Sequence, residues 1–174
     1  MRKMTRREWF IFTAGIGTGV AAPYIADGFF YKRPVTRELA QVWKESSLFT
    51  AKEFGLDFII LDQLKEVKIS IIDKHSDKLL FGEYRSKPQP YIQIFRYNYG
   101  SRLPDPFFGI YNQAGMDHEL IGHGYNFLKN NSLDEQWARD MQKKMALLRG
   151  KDSALWNITA RIQPSMHYLF DKIK

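Results

Sequence analysis

The sequence predicts an α+β protein, a small antiparallel sheet packed with helices, and three observations carry that expectation. A leading segment has apolar residues at helical spacing, three short stretches between residues 67 and 97 follow the two-residue period of strands, and helical spacing returns beyond residue 116. From Thr36 to Phe54, Leu39, Val42, Trp43 and Phe49 recur at helical intervals with Lys and Glu between them, which predicts an amphipathic helix. In "VKISIID", Val67, Ile69 and Ile71 alternate with Lys68 and Ser70, as a half-buried strand requires. The turn-like "KHSDK", in which His75 reads as a solvated polar residue, leads to "LLFGEYR", and the break "SKPQP" leads to "YIQIFRY". Links this short predict an antiparallel meander. After the loop "GSRLPDP", the apolar "FFGIYN" reads as a short fourth strand. A helix then runs to about Lys129, "NNS" ends it, and a second helix spans Leu133 to Leu148 before Gly150. In the tail, Pro164 interrupts the helical spacing of Leu155, Trp156, Ile158 and Ile162. Trp137 and Trp156 are assigned to the core.

A chain of 174 residues, 44% hydrophobic, accommodates one core domain, placed at 27–174. Cysteine is absent, which excludes disulfides and thiolate metal sites, so any metal falls to His, Asp or Glu. The histidines are His75, His118, His123 and His167. The formal charge is +7, but residues 1–26 hold four basic residues and one acid, and without them the count is 22 to 18, or +4. No segment carries a dense basic stripe, which argues against nucleic acid as a partner.

Residues 1–26 read as an export signal or a membrane anchor. Arg2, Lys3, Arg6 and Arg7 precede an uncharged run from Trp9 to Ala26, and "TRREWF" with the Gly- and Ala-containing stretch behind it resembles a twin-arginine signal. The basic flank orients residue 27 onward to the extracytoplasmic side. The small-residue site "VAA" at 20–22 is followed by Pro23, which disfavours cleavage. Eighteen residues at helical rise span roughly 27 Å, near a bilayer's hydrocarbon thickness, so an uncleaved anchor stands beside a removed signal.

"MDHELIGHGY", residues 116–125, places two histidines five apart around a glutamate. On a regular α-helix residues five apart differ by about 140° around the axis, and those four apart by only about 40°. A π-bulge that absorbs one residue restores a common face, and Gly122 is the residue expected to tolerate its backbone. "HELIGHG" resembles the His-Glu-Leu-Leu-Gly-His-Gly signature of the dipeptidyl peptidase III family of zinc peptidases, with Ile121 in place of Leu. The resemblance implies a compact zincin-like (gluzincin-like) core holding one Zn2+ on His118 and His123, with Glu119 as catalytic base. That family's later motif, an acidic pair followed two residues on by Ala, is similar to "DEQWA" at 134–138 and implies Glu135 as third ligand, with Asp134 as substitute.

Two imidazoles and one carboxylate leave a coordination position for water, the arrangement of a catalytic zinc site. The resemblance implies that such a site would hydrolyse a peptide or protein substrate, with the metal activating the water and Glu119 accepting its proton. For stabilising the oxyanion, Tyr125, Tyr111, His167 and Tyr168 are all candidates. "SLDE" at 132–135 also spells a capping box, in which Ser132 caps the helix and Glu135 reaches back. Asp117 reads either as a helix-start acid or as an acceptor for a histidine N–H. The competing function class is a noncatalytic exported or membrane-anchored domain whose His118/His123 helix is structural or holds a structural metal.

Overall fold

The computed structural model describes residues 33–75, 80–103 and 107–151. The 1–26 segment and the tail bearing Trp156, Pro164, His167 and Tyr168 lie outside the described residues, as does the side chain of His75. Chain order is α1 (Arg37–Glu53), α2 (Phe58–Lys65), β1 (Lys68–His75), β2 (Gly82–Arg85), β3 (Tyr91–Tyr97), a 3-10 turn (Tyr99–Arg102), α3 (Phe107–Met116), a π-helical segment (Asp117–Tyr125), α4 (Asn126–Asn130) and α5 (Glu135–Arg149). Helices and a small sheet give the mixed α/β composition expected.

The Thr36 hydroxyl caps α1 by accepting the Leu39 N–H at 3.3 Å, and Glu38 adds a favourable charge to the first turn. Its buried stripe is Ala40, Trp43, Lys44, Ser47, Thr50 and Ala51. Val42 and Phe49, expected on the core side, are 58% and 63% exposed. Small residues let α1 lie close to its neighbours, and Ser47 supplies a hydrogen bond there that an apolar side chain cannot. Gly55, at φ +84°, turns the chain after α1, a conformation open to glycine at little steric cost. Helix α2, which hydrophobic spacing left unread, starts at Asp57, whose carboxylate accepts the Ile59 N–H, and buries Leu61 and Leu64.

The sheet order is β1-β3-β2, with β1 parallel and β2 antiparallel to β3. This corrects the expected antiparallel meander. Alternation fixes which face of a strand is buried but carries no information about its neighbour. The central position of β3 fits its burial of Ile92, Ile94 and Phe95. Gly82 lies so near the Gln93 carbonyl that a Cβ would stand 2.2 Å from that oxygen, so close strand approach requires glycine there.

"FFGIYN" is helical, which corrects the fourth strand. A short apolar run does not distinguish a buried strand from a buried helix. Here Phe108, Ile110, Asn112, Gln113, Ala114 and Met116 are all interior, and α3 leads directly into the motif. Trp43 packs edge-on against Phe81 and Phe108, joining α1, the sheet and α3 in one core.

Candidate metal centre

The motif occupies the π-helical segment, between α3 and α4 in one continuous helix from 107 to 130. Met116 and Asn126 keep right-handed helical dihedrals on either side, so the winding widens without a break. Hydrogen bonding to the fifth residue stacks positions five apart. The rings of His118 and His123 accordingly meet edge to face, with centroids 4.8 Å apart. The widening inferred from the spacing is present, although it extends over nine residues.

Gly122 has a different role from the one expected. Its φ is not positive; Gly55 is the positive-φ glycine among the described residues. A Cβ at 122 would lie 2.7 Å from the Ala138 Cβ and 2.9 Å from its Cα. The missing side chain therefore lets α5 approach the π segment. On α5, Glu135, Ala138, Gln142 and Arg149 follow the helical repeat, and each meets that segment.

Glu135 is the first residue of α5 because the cap is Asp134, whose carboxylate accepts the Trp137 N–H at 2.7 Å. This corrects the capping box on Ser132. A glutamate at the first helical position cannot reach back as one at the third can. Asp134, occupied by capping, stands outside the cluster, whereas Glu135 turns to the histidines. Its Oε2 lies 3.5 Å from His118 Nε2 and 3.3 Å from His123 Nε2, and its Oε1 accepts the Arg139 Nε–H at 2.9 Å.

Ligand atoms about 2.0–2.1 Å from a tetrahedral zinc stand roughly 3.3–3.4 Å apart. The two His–Glu separations match that edge, and the donors of His118, His123 and Glu135 all lie within 4.8 Å of one another. His118 Nδ1 faces the Gln142 amide oxygen at 3.2 Å, while His123 Nδ1 is buried with no hydrogen-bond partner among the described residues.

Glu119 is 8% exposed and accepts the backbone N–H of Tyr84, in β2, at 2.7 Å. Burial pushes its carboxyl above the usual range, against the opposing charges of His118 and His123 and the Tyr84 hydrogen bond. For His118, burial acts downward, but the Glu135 contact, the Glu119 and Glu135 charges and Gln142 together raise it. Hydrogen bonds from His118 and His123 hold Glu135 far below an ordinary carboxylate, with burial opposing.

Asp117 serves neither expected role. The helix is already running when it reaches residue 117, and its carboxylate accepts from Ser47 Oγ at 2.6 Å, Gln113 Nε2 at 3.3 Å and Arg149 Nη2 at 2.9 Å, with Arg149 Nη1 on the other oxygen. Burial raises its pKa while Arg149, Ser47 and Gln113 pull it down. Of the tyrosines considered for the oxyanion, Tyr125 is buried, stacks on Trp137 and takes the Asp57 N–H on its hydroxyl. Tyr111 packs on Tyr99, and burial pushes its hydroxyl up.

Three neighbours escaped the sequence reading: Gln142, Arg139 and the Tyr84 N–H. For the first two a signal existed, because they stand seven and four residues after Glu135. No protein-family model, curated protein or solved structure matches the chain. Among the described residues no helix is long and apolar enough to cross a membrane.

Proposed function

We propose that the chain is a zinc-dependent peptidase with a zincin-like core, using His118, His123 and Glu135 as ligands and Glu119 as general base. The observation that carries this reading is the convergence of two imidazole Nε2 atoms and one carboxylate oxygen at separations that suit a tetrahedral ion. Bound there, zinc would activate a water and polarise the scissile carbonyl. Glu119 would take one proton from that water as its oxygen bonds to the carbonyl carbon. When the C–N bond breaks, Glu119 would return the proton to the leaving nitrogen, so the base is regenerated in each cycle. The Tyr84 N–H holds Oε2 of Glu119 and thereby orients the carboxylate. Arg139 engages the other oxygen of Glu135 and favours one-oxygen ligation.

The uncharged run 9–26 supports placing this domain on the extracytoplasmic side, tethered or released. The burial of Glu119 favours a second reading, a structural metal site without catalysis. Glu119→Gln separates the two. On the peptidase reading the variant keeps its zinc and loses hydrolysis of a mixed peptide library. Wild-type protein that binds zinc but cleaves no peptide supports the structural reading.

A further inference from the structure

We infer that Gln142 is a positioning residue of the metal centre: its amide oxygen accepts the Nδ1–H of His118 and holds the ring with Nε2, the nitrogen that would ligate, turned toward Glu135. This rests on the metal-site reading above, and neither the motif nor its spacing contains it. An imidazole ligates through the nitrogen that carries no proton, so an acceptor on the other nitrogen decides which face of the ring is available. Gln142 provides that acceptor at 3.2 Å, from the same face of α5 that carries Glu135 seven residues earlier. One rigid helix thus supplies a ligand for the ion and an orienting group for a second ligand.

The two histidines differ in this respect. His118 is held at both nitrogens, by Gln142 on one side and Glu135 on the other. His123 has Glu135 at Nε2 and no partner at Nδ1 among the described residues. Among the described residues the ring held from both sides is therefore His118, and loss of Gln142 leaves both imidazoles with Glu135 alone. A glutamine, unlike a glutamate, accomplishes this without adding a negative charge beside Glu119 and Glu135.

The test uses the full chain, with Gln142→Leu to remove the acceptor at similar volume and Gln142→Glu to restore an acceptor. Zinc affinity is measured by competition with a chromophoric chelator, and exchange of the His118 Nδ1–H with water by NMR of the zinc-loaded protein. Thermal melting confirms folding of each variant. The expected result is a slowly exchanging Nδ1–H at His118 in the wild type, fast exchange in Gln142→Leu, zinc affinity lower by about 10- to 100-fold in that variant, and recovery in Gln142→Glu. Equal zinc affinity and equally slow Nδ1–H exchange in folded Gln142→Leu overturn the role of Gln142 while leaving the metal site standing. A wild type that binds no zinc overturns the metal site itself, and the inference with it.

Discussion

Helix α5 meets the π segment through an acid–base contact at each end, and the two contacts are built differently. At its C-terminal end Arg149 reaches Asp117, which is 0% exposed and also bonded to Ser47 and Gln113. Near its N-terminus Glu135, with a side chain 53% exposed, faces two imidazoles, and one of those rings has a buried nitrogen without a partner among the described residues. The first contact is closed and satisfied, as a structural pair must be when it is withdrawn from water. The second is open to solvent, and its three donor atoms lie within 4.8 Å of one another, a grouping that could hold a metal ion.

The contrast is sharpened most by substitutions that act on one end only. Glu119→Gln should lower peptide hydrolysis by about 100- to 10,000-fold, the usual yield of a general base, with zinc content unchanged. Full activity in this variant removes Glu119 from the mechanism. At the closed end, Arg149→Met should destabilise the fold by about 3–5 kcal/mol in urea unfolding, because Asp117 is left buried without its counter-charge. A loss under about 1 kcal/mol would show that this end is not the structural one.

Between the two ends lies Gly122, and Gly122→Ala should cost about 1–3 kcal/mol, since its new methyl would meet Ala138 at 2.7 Å. It should also weaken zinc binding by pushing Glu135 away from the histidines. Ala138→Gly in the same chain should recover part of both losses, since the Cα of residue 138 would still stand 2.9 Å from the new methyl, and recovery of neither would show that the close approach is not what sets the site.

The smallest expected effect concerns pH in the metal-free protein. His118 is raised above its ordinary value of 6.5, so its contribution to stability is fully present below that value and is lost as pH rises through the raised one. Zinc requires the neutral ring, and its stabilisation grows as the proton leaves. The zinc-induced rise in melting temperature should therefore increase as pH climbs from 6.5 through the raised value of His118. A rise independent of pH would argue against histidine ligation.

The local geometry of the site was legible in the sequence. Five-residue spacing of His118 and His123 required a widened helix, and the chain has one. The helices at 37–53 and 135–149 were likewise readable from their periodicity and punctuation. What was not legible depends on contacts between distant segments. Strand order could not be read because alternation in "YIQIFRY" suits a central or an edge strand equally. The short run "FFGIYN" suits a strand or a buried helix equally, and its helical form at 107–116 is visible only with the neighbours that bury Phe108, Ile110, Asn112, Gln113, Ala114 and Met116. Val42 and Phe49 lie on the exposed side of α1, and the opposite side turns Ser47 to Asp117, 70 residues away, a contact that periodicity does not reveal. Gly122 was noticed for its flexibility, although the reason for it is Ala138 on another helix. The N–H of Tyr84 leaves no trace in side-chain pattern at all.

The central claim is that His118, His123 and Glu135 hold one zinc ion. Its most direct test is the metal content of the full chain, purified in detergent without added chelator, beside His123→Ala prepared identically. The account predicts near-stoichiometric zinc in the wild type and almost none in the variant, with helical circular dichroism retained. A wild type without zinc, or a folded variant that keeps its zinc in full, contradicts it.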